Sequence, residues 1–157
     1  MNSDFQEINN LLLKMIPKEE FDRVMKSYAS IEISPDFLGF VDTYYYLSKL
    51  IPKHWTVIDF GCAENAQSYF FQEHFRYIAV EPYNNSSKYH FESFQAPGTE
   101  LAHCTTGEFL KMNPEFPEST FAICNFVPNW FGEDPTKLVH ERFRNCYTFY
   151  PQNLVKK

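Results

Sequence analysis

No Cys-x-x-Cys pair occurs in this sequence; Cys62, Cys104, Cys124 and Cys146 stand far apart. That removes the usual zinc spacing, and His54, His74, His90, His103 and His140 show no metal-ligand spacing either. An apolar leader is also lacking. Residues 1–10 are polar, so no secretory signal is expected. No apolar run approaches the ~20 residues that cross a bilayer. The thiols are therefore expected to be reduced, to serve as small core residues, and to belong to a cytoplasmic protein. A basic run is missing too: the net charge is −6, and the terminal Lys156 and Lys157 read as a solvated tail. Without a cationic footprint, nucleic acid is not an expected partner. There is no internal repeat and no low-complexity segment.

What is present is aromatic. Seventeen Phe and ten Tyr let a short chain build a large apolar core, because each ring buries much surface. A length of 157 residues suits a single domain. Residues 1–52 read as helices. Phe5, Ile8, Leu11, Leu12 and Met15 recur at helical spacing until Pro17, and Phe21, Val24, Met25 and Tyr28 follow on one face. Ser34-Pro35-Asp36 has the form of a helix start, with Ser34 as cap and Pro35 in the first turn. Of the rings in Tyr44-Tyr45-Tyr46, one is expected on the core and the others at its rim.

Residues 55–151 change pattern. Trp55–Phe60, Arg76–Glu81, Thr99–Cys104, Thr120–Phe126 and Cys146–Tyr150 read as five short strands. Helices are expected at Ala63–His74, after Thr105 and after Asp134, with a short one after Ser86. Thr105 and Glu108 stand three apart as a capping box. Alternating strands and helices imply right-handed crossovers and a mostly parallel sheet. The fold class is thus α/β.

The informative stretch is Val57-Ile58-Asp59-Phe60-Gly61-Cys62-Ala63-Glu64-Asn65. It resembles the first motif of class I S-adenosylmethionine-dependent methyltransferases, where a strand ends in an acid and a turn of form D-x-G-x-G-x-G follows. Asp59 and Gly61 match the acid and the first glycine; Ala63 and Asn65 stand where the second and third would be. Asn is the residue other than glycine that best tolerates left-handed backbone, and Ala is the next smallest side chain. Glu81 follows Asp59 by 22 positions, the place of an acid that accepts hydrogen bonds from ribose hydroxyls in Rossmann-type sites. The resemblance implies a Rossmann-like three-layer sandwich of strand order 3-2-1-4-5. It also implies S-adenosylmethionine as cofactor, held by Asp59, Gly61, Cys62, Ala63, Asn65 and Glu81.

Two further elements are expected at the same end of the sheet. Thr105 and Thr106 follow the third strand, where the family often places an acid on the adenine amino group; Thr105 reads first as a helix cap and second as an adenine contact. Asn125 and Phe126 end the fourth strand, where amino-group methyltransferases carry D/N-P-P-Y/F. The double proline is absent, so no amino-methylating mechanism is carried over and no catalytic residue is assigned. Trp130-Phe131 would line a substrate pocket or plug it. The family's last two strands have no counterpart after Tyr150, so the fifth strand is expected to be an edge that either the N-terminal helices or the tail cover, or that pairs with a second copy.

Three functions fit this reading: a compact methyltransferase acting on a small molecule or protein; a non-catalytic sensor or interaction protein of the same fold; and a nicotinamide- or other nucleotide-binding protein. The last aligns Gly61–Ala66 with G-x-G-x-x-G but lacks two of its glycines.

Overall fold

A computed structural model describes residues 3–30, 41–82, 92–125, 127 and 132–150. Three helices lead: α1 (Ser3–Met15), α2 (Lys18–Ser30) and α3 (Val41–Leu50). The expected helix start at Ser34 lies outside the described residues, as do Phe126, Trp130, Phe131 and the short helix expected after Ser86. Then come β1 (Thr56–Phe60), a 3₁₀ helix (Ala66–Phe71), β2 (Arg76–Val80), β3 (Thr99–Ala102), α4 (Thr106–Met112), β4 (Thr120–Asn125), α5 (Pro135–Arg142) and β5 (Cys146–Phe149). No described helix is long and apolar enough to cross a membrane.

The five strands form one parallel sheet in the order β3-β2-β1-β4-β5. With helices on both faces, this is the Rossmann-like α/β arrangement. β1 lies at the centre and all five of its residues are buried, as expected of a strand covered on both sides. Alternation along the strand sends its side chains to two different cores. Val57 joins Tyr77, Ala79 and Ile123 beneath Leu12, Tyr44, Leu47, Phe70 and Phe71. Ile58 and Phe60 join Ile78, Val80, Ala122 and Cys124 beneath Phe109, Leu110, Val139 and Phe143. The first core is roofed by α1, α3 and the 3₁₀ helix; the second by α4 and α5. The strand order reverses between β1 and β4, so the crevice beyond their carboxyl ends is where a sheet of this type accepts ligands.

One element departs from expectation. Ala63–His74 does not form an α-helix; only Ala66–Phe71 is helical, and it is a 3₁₀ helix. Ala63 and Asn65 have φ of 50° and 63°, and left-handed residues cannot belong to a right-handed helix. All six residues of the short helix are buried, so it lacks the polar outer face that an amphipathic helix would keep. β3 is also shorter than expected, ending at Ala102.

Candidate functional site

The turn after β1 carries the site. Gly61, Ala63 and Asn65 have φ of 72°, 50° and 63°. These are the three positions where the D-x-G-x-G-x-G pattern would place glycine. The glycine-type backbone path is therefore followed although two side chains replace glycines. The left-handed conformation costs an ordinary residue about 1–2 kcal/mol. Asn offsets part of that; Ala has no polar group with which to do so. Ala63→Gly is accordingly expected to stabilise the protein by about 0.5–1 kcal/mol, after the added chain entropy of glycine is deducted. Urea unfolding checks this, and a loss of stability would show that the Ala63 methyl contributes packing that outweighs its strain.

Neighbouring strands hold the turn. The Gly61 and Cys62 N–H groups donate to the Val80 carbonyl at 2.7 and 3.3 Å. Glu81, just past β2, is 4% exposed and points at the turn, where its Oε1 accepts the Ala63 N–H at 2.7 Å. The segment after residue 91 braces the turn from the side: the Phe94 N–H donates to the Glu64 carbonyl at 2.8 Å. Ser93 Oγ lies 3.4 Å from the Ala63 carbonyl. That segment is in turn tied to α2, because Arg23 pairs with Glu92 at 2.6 Å and reaches the Ser93 carbonyl at 3.2 Å.

Asp59 does not reach out toward solvent. It is fully buried beneath the turn, and its Oδ2 accepts from the Gln67 amide at 2.8 Å and the Tyr77 hydroxyl at 2.6 Å. Gln67 also donates to the Cys62 carbonyl at 3.1 Å, so one side chain links the carboxylate to the turn. Tyr77 Oη lies 2.8 Å from Asn65 Oδ1 as well. A hydroxyl has one proton, which goes to the carboxylate, the stronger acceptor. Turning the Asn65 amide over makes its NH₂ the donor to Tyr77 and gives the buried Nδ2, otherwise without an acceptor, its partner. Asn65, Tyr77, Asp59 and Gln67 thus form one connected polar chain under the turn.

Tyr44 extends this chain from α3. Its buried hydroxyl faces Asp59 and Asn125, while Tyr45 is half-buried and Tyr46 is 51% exposed. Asp59 Oδ1 has no partner of sound hydrogen-bond geometry, although Tyr44 is near enough to favour the ionised form. Burial outweighs all three donors and raises the Asp59 pKa from 3.8 to about 6. Asn125, at the end of β4, is 6% exposed with its Oδ1 unpartnered. Burial, with Glu81, Asp59 and Glu64 nearby, drives the Cys62 thiol well above its ordinary range, which removes it as a neutral-pH nucleophile.

Thr105 and Thr106 lie at the start of α4. The Thr105 hydroxyl accepts the Glu108 N–H at 3.2 Å while the Glu108 carboxylate accepts the Thr105 N–H at 2.9 Å, a complete capping box. Thr106 is buried. Thr105→Ala is expected to cost about 1 kcal/mol in stability. A change in ligand affinity with no change in melting temperature would instead assign the hydroxyl to a ligand.

The side chains missed by the sequence reading are Gln67, Tyr77 and Val127. Val127, beyond β4, lies on Gly61: a Cβ built on that glycine would be 2.4 Å from Val127 Cγ2. Each is an ordinary residue in an ordinary element, and only the fold brings it to the turn. No periodicity marks any of the three.

No protein-family model matches this sequence, and no curated protein matches it significantly. One solved structure does, the "Putative Type II Methyltransferase from Anaeromyxobacter dehalogenans", at 20% identity and a TM-score of 0.46 over 66% of this chain. This chain spans 43% of that one.

Proposed function

We propose that the turn at residues 61–65 and Glu81 bind S-adenosylmethionine, and that the domain transfers its methyl group to a small-molecule or protein acceptor. One observation carries this reading. Three residues at the spacing of a glycine-rich turn share positive φ, and the buried carboxylate of Glu81 faces them from the neighbouring strand. Glycine-type backbone is kept where a ligand must approach the main chain. A carboxylate at the tip of the second strand can accept hydrogen bonds from a ribose. The unpartnered Oδ1 atoms of Asp59 and Asn125 leave buried acceptors at the β1–β4 reversal, a further sign of a polar site.

When bound, the cofactor supplies an already activated sulfonium methyl. The chain's task is then to position rather than to shuttle protons, in keeping with a site where Cys62 is held protonated. Gly61, Ala63 and Asn65 shape the backbone against the cofactor, Glu81 orients its sugar, and Asn125 stands on the fourth-strand side.

A second reading is a protein of the same fold that no longer binds the cofactor. It is favoured by Val127 on Gly61 and by the Glu81 carboxylate being bonded to Ala63. Calorimetry with S-adenosylmethionine, its demethylated product and NAD separates the two. Binding of the first two ligands, weakened at least tenfold in Glu81→Gln at unchanged melting temperature, supports the cofactor reading. Gln can still accept the Ala63 N–H, so the turn is kept. Binding of NAD alone would replace the reading with a nicotinamide site, and no binding of any ligand would leave the second reading.

A further inference from the structure

A glycine in a ligand-binding turn ordinarily leaves a bare patch of backbone. At Gly61 that patch is covered. A Cβ placed there would lie 2.4 Å from Cγ2, 3.0 Å from Cγ1 and 3.2 Å from Cβ of Val127, so the whole branched end of the side chain rests on it. Val127 is half-buried and packs against the cluster that contains Phe60 and Cys124. It comes two residues after the end of β4, and Gly61 directly follows β1. The contact therefore spans the two carboxyl ends at which the strand order reverses. A valine is stiff at χ1 and this one is anchored by apolar neighbours, so a rotamer change that would uncover the glycine loses packing.

We propose that Val127 is the affinity- and specificity-determining residue of this site: its isopropyl group occupies the face of Gly61 on which a ligand would rest, and its size sets how deeply a ligand can lie against the turn. This rests on the cofactor reading above, but the contact itself can be tested without any ligand. The replaced glycines are not the main obstruction under this view. Ala63 and Asn65 already follow the required backbone path, and Asn65 turns its side chain inward to Tyr77.

The experiment has two parts. Chemical unfolding of Gly61→Ala, Val127→Ala and the double variant forms a cycle. The damage from Gly61→Ala is expected to fall by at least half when Val127 is already Ala, because the space for the new methyl has been opened. Equal damage in both backgrounds overturns the contact and with it the proposal. Calorimetry with S-adenosylmethionine then compares wild type, Val127→Ala and Val127→Phe. Val127→Ala is expected to bind at least tenfold more tightly than wild type, and Val127→Phe to bind at least tenfold more weakly or not at all. Wild type and Val127→Ala binding equally well would overturn the role of Val127 and leave the cofactor reading standing. Absence of binding by both would overturn the two together.

Discussion

Between pH 4 and pH 6, wild-type protein is expected to lose about 2 kcal/mol of stability relative to an Asp59→Asn variant. Asp59 is buried, and its pKa is raised from 3.8 to about 6. In the unfolded chain it titrates near the ordinary value, about 3.9. The native state therefore holds a proton over a pH range in which the unfolded state has released it. Stability from this group is fully present below about pH 4 and is lost as pH rises through about 6. A shift of this size corresponds to about 3 kcal/mol over the whole titration, of which about 2 kcal/mol is lost between pH 4 and pH 6. Desolvation of the carboxylate is the dominant cause, and the hydrogen bonds from Tyr77 and Gln67, with the Tyr44 hydroxyl nearby, recover only part of the cost.

Asn is close in shape and keeps an acceptor for Tyr77, but it does not titrate. Urea unfolding of both proteins at intervals from pH 4 to 8 isolates the effect, since every other carboxyl group cancels in the difference. A flat difference over that window would mean that Asp59 is solvated in the native protein and that the polar chain under the turn is wrongly described.

Gly61→Ala is expected to cost about 3 kcal/mol or more. Two penalties add. The backbone φ of 72° strains an alanine by about 1–2 kcal/mol. The new methyl also meets Val127 at 2.4 Å, and forcing a methyl into a filled space costs about 1–3 kcal/mol. Gly107 offers the comparison. Its added Cβ would be 2.3 Å from Glu133 Oε2, as short a contact, but there the obstacle is the end of a flexible side chain and φ is not positive. Gly107→Ala disturbs the hydrogen bonds from the Gly107 N–H to that carboxylate, 2.9 and 3.1 Å, and is expected to cost about 1 kcal/mol. Denaturant midpoints rank the two variants. Equal costs would show that the turn relaxes around a side chain.

These numbers bear on how the turn tolerates its sequence. A buried network does at Asn65 what glycine does elsewhere. Asn65 accepts left-handed backbone because its amide meets Tyr77. Tyr77 is held by Asp59, and Asp59 is tied back to the turn through Gln67. The acid of the motif is thus buried beneath the turn and bonded to Gln67 and Tyr77.

The resemblance at Asp59–Asn65 implied the strand order, and the sequence alone determined the strand–helix alternation and with it the parallel sheet. Those follow from local signals: β-branched and aromatic runs, a capping box at Thr105, and Asp134-Pro135 at a helix start, each legible within a few residues. The turn and the facing acid were legible too, because Asp59, Gly61 and Glu81 keep a spacing set by one crossover. Only the tertiary structure decided that Asp59 is buried, that Ala66–Phe71 is a short 3₁₀ helix and not a longer α-helix, and that Val127 covers Gly61. Each depends on residues far apart in the chain meeting in space: Tyr77 and Gln67 on a carboxylate, or the ends of β1 and β4 side by side. Burial, and the pKa it shifts, belong to the assembled core and to no single stretch of it.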